Sequence, residues 1–262
     1  MPMSVPESSK IHVFPCRTDN IGVLLHDCAT GATAAIDAPE ENAVLAALEA
    51  TGWQLTDILV THKHSDHIAG IPGLKQRFPS ARVMAPAGEA DVIPLVDETV
   101  KDGDTVSVGN LRGQVMATPG HTLGHVVYWF PEEKALFAGD TLFSLGCGRI
   151  LEGTPEAMWQ AISRLAALPD DTRLYCGHEY TLSNARFALT VEPDNTALQA
   201  MAKQAEATRA AGNLTIPSLL GDEKAANPFM RAGEATVAKA MHLAGKPPAE
   251  VFAAVRTAKD NA

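Results

Sequence analysis

The sequence predicts an α/β layered domain over residues 1–178, followed by a helical domain over residues 179–262. Short apolar runs bounded by turn residues recur through the first of these, with stretches of helical spacing between them. Several runs end on a small residue followed by His or Asp, and strand ends feeding loops are where α/β folds place chemistry. Beyond residue 178 the pattern is alanine-rich and almost entirely helical through Ala262.

Taken in order, Ile11–Phe14, Ile21–Leu25 and Ala34–Ile36 are apolar runs separated by turn residues, which predicts consecutive antiparallel strands. Residues 40–51 have helical spacing and stop at Gly52. Ile58-Leu59-Val60 reads as a short buried strand, residues 70–78 as a short helix, and Val83–Ala85 as a return to strand. Thr105–Val108, Leu111–Thr118, Val126–Phe130 and Ala135–Ala138 are strand-like. Helical periodicity returns over residues 155–167, and Arg173–Cys176 is a further strand before Gly177-His178.

Composition narrows the function. A chain of 262 residues with 46% hydrophobic and 20% charged residues is an ordinary globular protein. Its net charge of −10 repels bulk nucleic acid and anionic membrane, so neither is expected as a partner. Cys16, Cys28, Cys147 and Cys176 show no Cys-x-x-Cys spacing. The amino terminus lacks the apolar core of a signal peptide, and no apolar run is long enough to span a bilayer. A reduced, cytoplasmic monomer acting on a small molecule is the expectation.

Residues 61–67 read Thr-His-Lys-His-Ser-Asp-His. His62 and His64 are two apart, so in extended chain their side chains leave the same face. Asp66 and His67 follow where a helix would start, aimed differently. So many donors cannot all serve one ion, and the crowding points to two ions side by side, a hydrolytic arrangement. His121 follows Thr118-Pro119-Gly120, Asp140 follows Gly139, and His178 follows Cys176-Gly177. Each alone is weak, since a lone histidine beside an apolar strand is more often a satisfied core residue. Together they repeat one context: apolar strand, small residue, then donor. Five imidazoles and two carboxylates without cysteine suit zinc, iron or manganese, and the donor types do not choose among them.

These motifs, 61–67 with His121, Asp140 and His178, resemble the signature of the metallo-β-lactamase superfamily. A narrower resemblance, to the glyoxalase II or hydroxyacylglutathione hydrolase family, rests on Gly-Asp-Thr-Leu-Phe-Ser-Leu-Gly-Cys-Gly-Arg (139–149), Glu152-Gly153 and Cys-Gly-His-Glu-Tyr-Thr (176–181). It continues through Asn-Pro-Phe-Met-Arg (227–231) and Arg256-x-x-Lys259-Asp260, so it covers nearly the whole chain. The resemblance implies a four-layer αββα sandwich followed by the smaller helical domain. It implies one ion held by His62, His64 and His121, a second held by Asp66, His67 and His178, and Asp140 bridging both. Asp66 and Asp140 then act in catalysis with a metal-bridging hydroxide. Arg149, Tyr180, Arg256 and Lys259 match the groups that hold glutathione in the family.

The sequence also departs from the family pattern. Leu151 stands where an aromatic, usually tyrosine, is common, and a leucine donates no hydrogen bond. Lys63 replaces a frequent histidine, and Ile21 the tyrosine that often follows Asp19-Asn20; neither is a ligand. On charge alone, Arg256 and Lys259 read as solvated residues on a terminal helix. His125 reads as a core or supporting histidine. Asp37 closes a strand and is placed either to orient a ligand imidazole or simply to make a turn. Cys147 and Cys176 read as packing residues.

The implied reaction is attack of the bridging hydroxide on the carbonyl of a glutathione thioester, S-lactoylglutathione, releasing D-lactate in the second step of methylglyoxal detoxification. A thiol of pKa about 8.5 leaves without full protonation, which explains why no general acid stands out. The rival within the fold is a mononuclear-iron glutathione persulfide dioxygenase, which needs only one ion. A metal-binding protein without catalysis has little use for an anion clamp.

Overall fold

The computed structural model describes residues 8–262; the amino-terminal stretch without a signal-peptide core lies outside the described residues. The chain divides into two compact units, residues 1–116 with 128–135, and residues 117–127 with 136–262.

The first unit opens with β1 (Ser9–Cys16), β2 (Asn20–Asp27) and β3 (Thr33–Ile36), paired antiparallel in succession as the sequence predicts. Helix α1 (Glu41–Thr51) ends where Gly52 enters the left-handed region at φ 73° and donates its N–H to Glu49 and Leu48 carbonyls. That crossover returns the chain in parallel, so β4 (Asp57–Leu59) pairs parallel with β3. Two short helices, α2 (Ser65–Ile68) and α3 (Ile71–Arg77), lead to β5 (Arg82–Pro86) and then β6 (Glu98–Val100), both added parallel. The sheet runs in order β1-β2-β3-β4-β5-β6. Val44 and Leu48 of α1 and Ile71 and Leu74 of α3 bury against Leu24, Ile58, Val60 and Val83. Each such side chain contributes about 1.5–3 kcal/mol by leaving water.

Strands β7 (Thr105–Val108) and β8 (Leu111–Ala117) form a hairpin turning at Gly109-Asn110. Gly109 has φ 57°, and a Cβ there would strike the Thr30 and Asp27 side chains. The Asp27 carboxylate accepts the Asn110 N–H at 2.7 Å, docking the turn on the end of β2. Strand β9 (Val126–Phe130) lies beside β8, and its Tyr128 hydroxyl donates to the Val60 carbonyl at 2.7 Å. That bond fixes the chain just before the histidine motif.

The second unit contains β10 (Ala135–Gly139), the two-stranded ribbon of β11 (Leu142–Phe143) and β12 (Gly146–Cys147), helix α4 (Pro155–Ala166) and β13 (Arg173–Cys176). Thr154 caps α4 by accepting the Ala157 N–H, and Met158, Ala161, Ile162 and Leu165 bury its inner stripe. Helices α5 (Thr181–Val191) and α6 (Thr196–Ala210) follow, packed through Ala185, Ala188, Leu198 and Ala202 around Leu145. Next come β14 (Ser218–Leu219), α7 (Leu220–Ala226), α8 (Ala235–Ala240) and α9 (Pro248–Asp260). Strand β14 pairs antiparallel with β13, Arg173 opposite Leu219, inside the stretch that the sequence reads as helical. β6, β11, β12 and β14 span two or three residues each, too short to show a period of two.

One ion pair, its carboxylate buried and its guanidinium half-buried, ties the helical stretch together. Arg231 donates to Glu192 through Nε at 2.8 Å and Nη2 at 3.1 Å, and Thr236 adds its hydroxyl at 2.7 Å. Burial alone would raise the Glu192 carboxyl; Arg231 and Thr236 outweigh it and hold it below the usual glutamate range. The depressed value means stability present above the unfolded pKa, about 4.3, and lost as pH falls through the folded one. Glu192→Gln is expected to cost about 3 kcal/mol at pH 7. Urea midpoints should show the gap to the parent protein closing below about pH 4.

Candidate functional site

Asp37 ends β3 in the left-handed region at φ 59°, and this turn aims its carboxylate at the residues after β4. It accepts the Thr61 N–H at 2.7 Å and the Thr61 hydroxyl at 2.8 Å. It also accepts His67 Nδ1–H at 2.8 Å, since a carboxylate can only accept. Thr61 Oγ1, its proton given to Asp37, accepts from His62 Nδ1 at 3.0 Å. Nε2 is therefore the lone-pair nitrogen on both His62 and His67. His62 Nε2 lies 3.0 Å from His64 Nδ1, and the His62 and His67 ring centres are 4.1 Å apart. Asn20 Nδ2 donates to the Asp66 carbonyl at 3.1 Å and carboxylate at 3.2 Å, turning Asp66 toward His67, where Oδ2 and Nε2 are 3.7 Å apart. Of the alternatives for Asp37, the structure shows the orienting role.

The second unit supplies the other predicted donors. His121 Nδ1 donates to the Arg149 carbonyl at 2.9 Å, leaving Nε2 3.4 Å from Asp140 Oδ2. His178 Nε2 approaches the same oxygen at 3.4 Å, its ring stacked on Tyr180 at 4.8 Å. His125 is fully buried and accepts the Asp140 N–H on Nε2 at 3.1 Å. Its Nδ1 meets the Thr118 and Thr141 hydroxyls at 2.9 and 3.1 Å, so it is a supporting histidine as the sequence suggests. Asn20, Thr61, Thr118 and Thr141 carry no signal in the sequence that separates them from ordinary polar residues.

Donor spacing within each unit suits a divalent ion. A tetrahedral ion with bonds near 2.0–2.1 Å holds neighbouring ligand atoms about 3.3 Å apart. The His62–His64 nitrogens at 3.0 Å and the two contacts to Asp140 Oδ2 at 3.4 Å match that edge. His62 pairs with His64 and with His67, and Asp66 with His67, through donor atoms within 4.8 Å of one another. His62, His67 and His121 each have the far ring nitrogen engaged by an acceptor, as metal-ligating imidazoles require.

A cavity of about 590 Å³ in the second unit opens onto His121 and Asp140. Its wall brings together all of the predicted substrate groups, Arg149, Tyr180, Arg256 and Lys259, and also Leu151, whose side chain is exposed. Arg256 is buried, not the solvated residue that charge alone suggests. It donates Nη1 to the Cys147 carbonyl at 2.8 Å and Nε and Nη2 to Asp260 Oδ1 at 3.1 and 2.8 Å. Burial, then the nearby Arg256 and Arg186 cations, hold the Lys259 ammonium below the usual lysine range.

The floor of the cavity is the β11–β12 ribbon, gripped from the helices. Asn227 Nδ2 donates to the Phe143 and Gly146 carbonyls at 3.2 and 3.0 Å, and Asn184 Nδ2 to the Ser144 carbonyl at 3.1 Å. Glu223 accepts the Leu145 N–H at 2.8 Å, where Leu145 has φ 56°. Those contacts account for the Asn227 of the Asn-Pro-Phe-Met-Arg motif.

With the geometry in place, comparison with known proteins is decisive. The hydroxyacylglutathione hydrolase C-terminus profile matches residues 179–262, and the metallo-beta-lactamase superfamily profile matches residues 19–178. A hydroxyacylglutathione hydrolase of Methylobacterium nodulans is 57% identical over 96% of this chain and 98% of its own length. One from Rhodopseudomonas palustris strain BisA53 is 56% identical over 97% and 99%. The chain belongs to the hydroxyacylglutathione hydrolase family. Its fold is that of the metallo-β-lactamase superfamily, with a helical carboxy-terminal region. The solved structure of ETHE1 from Myxococcus xanthus covers 95% of this chain and 90% of its own at 26% identity with TM-score 0.68. The BLEG-1 B3 metallo-β-lactamase covers 84% and 99% at 20% identity with TM-score 0.65, a likeness of fold.

As in the sequence reading, no cysteine is placed as a nucleophile in this hydroxyacylglutathione hydrolase family member. Burial pushes the Cys147 thiol up to about 11 and the Cys176 thiol to about 12, against Arg256 in the first case. Burial likewise carries Cys16 to about 11, whereas Cys28 is exposed. Iodoacetamide at pH 7.5 is expected to label Cys28 in the native protein and the other three only after unfolding. Peptide mass spectrometry checks this, and rapid native labelling of Cys147 would contradict it.

Proposed function

We propose that this protein hydrolyses S-(2-hydroxyacyl)glutathione, with S-lactoylglutathione the first substrate to test, giving glutathione and a 2-hydroxy acid such as D-lactate. The observation that carries the reading is one cavity whose inner end is His121 and Asp140 and whose wall is the cationic group Arg149, Arg256 and Lys259. Glutathione has two carboxylates, and such a wall supplies the local attraction that a chain of net charge −10 otherwise lacks.

In this reading His62, His64 and His121 would hold one divalent ion and Asp66, His67 and His178 a second, with Asp140 available to both. Zinc is the first choice, with iron or manganese as alternatives; TTHA1623, at 25% identity, was solved in a di-iron-bound form. Such ions supply hydroxide at neutral pH and polarise a carbonyl. Asp66 and Asp140 are the carboxylates that orient the attacking water and take its proton. His121 keeps its Nε2 aimed inward because the Arg149 carbonyl fixes Nδ1. Water adds to the thioester carbonyl, the C–S bond breaks, and the sulfur departs as thiolate, which a pKa of about 8.5 allows without a general acid. Residues 1–178 would form the catalytic domain and residues 179–262 the substrate-binding one, in a cytoplasmic monomer. No helix among the described residues is long and apolar enough to cross a membrane.

Purified protein is expected to contain two ions per chain and to hydrolyse S-lactoylglutathione, with activity lost on chelation and restored by metal. Oxygen uptake with glutathione persulfide, in the absence of thioester hydrolysis, would overturn the assignment. Asp37→Ala should release His67 and lower metal affinity roughly 10–100-fold while the far-ultraviolet spectrum is kept. Metal titration reads that loss directly; an unchanged affinity would remove His67 from the ligand set.

A further inference from the structure

The cationic wall contains one contrary group. Apart from Asp140 at the inner end, Asp260 is the only carboxylate among the described residues lining the cavity. It is the last residue of α9, where the helix dipole disfavours negative charge, and within the helix it is held by its i,i+4 pair with Arg256. Arg256 fixes it by donating Nε and Nη2 to a single oxygen, Oδ1, at 3.1 and 2.8 Å. The side chain is 40% exposed, and among the described residues no hydrogen bond reaches Oδ2. The carboxylate is thus oriented by one oxygen and offers the other to whatever enters.

An oriented acceptor in a cavity of donors selects for a cation. Glutathione carries one cation, the α-ammonium of its γ-glutamyl residue, beside two carboxylates that suit Arg149 and Lys259. We propose that Asp260 is a specificity-determining residue that reads the ammonium of the γ-glutamyl group, an inference that rests on the glutathione thioester reading above. With its ammonium on Asp260 Oδ2, the substrate is distinguished from acyl thioesters of thiols that lack an amine.

The test pairs the protein with two substrates: S-lactoylglutathione, and the same thioester with the γ-glutamyl amine acetylated. Capping the amine should raise KM of the parent protein about tenfold, the size of one charge-assisted hydrogen bond. Asp260→Asn keeps an oxygen for Arg256 but removes the charge. It should raise KM for the uncapped substrate by the same factor and treat the two substrates alike. If Asp260 only props up Arg256, Asp260→Asn leaves the preference for the free amine in place, whether or not KM changes; that result overturns the proposal. Calorimetry with glutathione and its amine-acetylated form separates this inference from the hydrolase reading. Absence of thioester hydrolysis with an amine preference that Asp260→Asn abolishes would sink the reaction and support the residue's role. Absence of any amine preference in the parent protein would overturn the role of Asp260 whatever the reaction.

Discussion

An acceptor on one imidazole nitrogen fixes the tautomer and turns the bare nitrogen toward an ion, and this constraint recurs in both units. In the first unit, Asp37 meets it twice, directly for His67 and through the Thr61 hydroxyl for His62. In the second unit the Arg149 carbonyl meets it for His121. Each acceptor is placed by backbone detail. Asp37 must leave β3 in the left-handed region, and Arg149 must follow the β11–β12 ribbon at one fixed distance. A left-handed aspartate costs on the order of 1–3 kcal/mol. It persists because the same carboxylate accepts from the Thr61 N–H and hydroxyl and from His67 Nδ1.

The ribbon shows why the helical region belongs to the chemistry. Its backbone groups between Phe143 and Cys147 are held by Asn184 of α5, Glu223 of α7, Asn227 just after α7, and Arg256 of α9. These side chains are buried, so each missing bond would leave a desolvated carbonyl or N–H at about 1–3 kcal/mol. The ribbon begins two residues after Asp140 and ends two before Arg149, the residue whose carbonyl orients His121. Helices that supply none of the proposed metal donors therefore set the position of a carboxylate and the ring orientation of a histidine.

Periodicity and turn chemistry made the larger elements legible. The antiparallel opening, α1 with its Gly52 stop, α4 and the strand ends before His62, Asp140 and His178 all appear where the pattern places them. The donors were legible because a short polar motif directly after an apolar strand is rare. Strands of two or three residues were not, since β11, β12 and β14 exist through tertiary hydrogen bonds and have no local period. The supporting shell was also hidden: Asn20, Thr118 and Thr141 act through contacts with residues 7 to 46 positions away, which composition does not encode. Arg256 was misjudged by charge alone for the same reason, since only the packing of α9 shows that its guanidinium is buried.

Collecting cations in one wall has a cost that the packing offsets. Arg256 and Arg186 depress Lys259 by repulsion after burial has already done so. Two aromatic faces answer part of this: Arg256 lies 5.0 Å from the Phe229 ring centre and Lys259 5.3 Å from that of Phe187. Such contacts are worth about 0.5–2 kcal/mol each and leave the outward donors available. Phe187 and Phe229 are themselves 6.1 Å apart, so the rings form a single platform beneath the charges. A cationic cavity on an acidic chain concentrates anionic ligands where the field lines converge, and the platform lets it do so before any ligand neutralises the charge. Leu151 then adds apolar surface at this wall without competing for the donors. Recognition by charge on one side and by shape on the other fits a ligand with ionised ends and a compact acyl group.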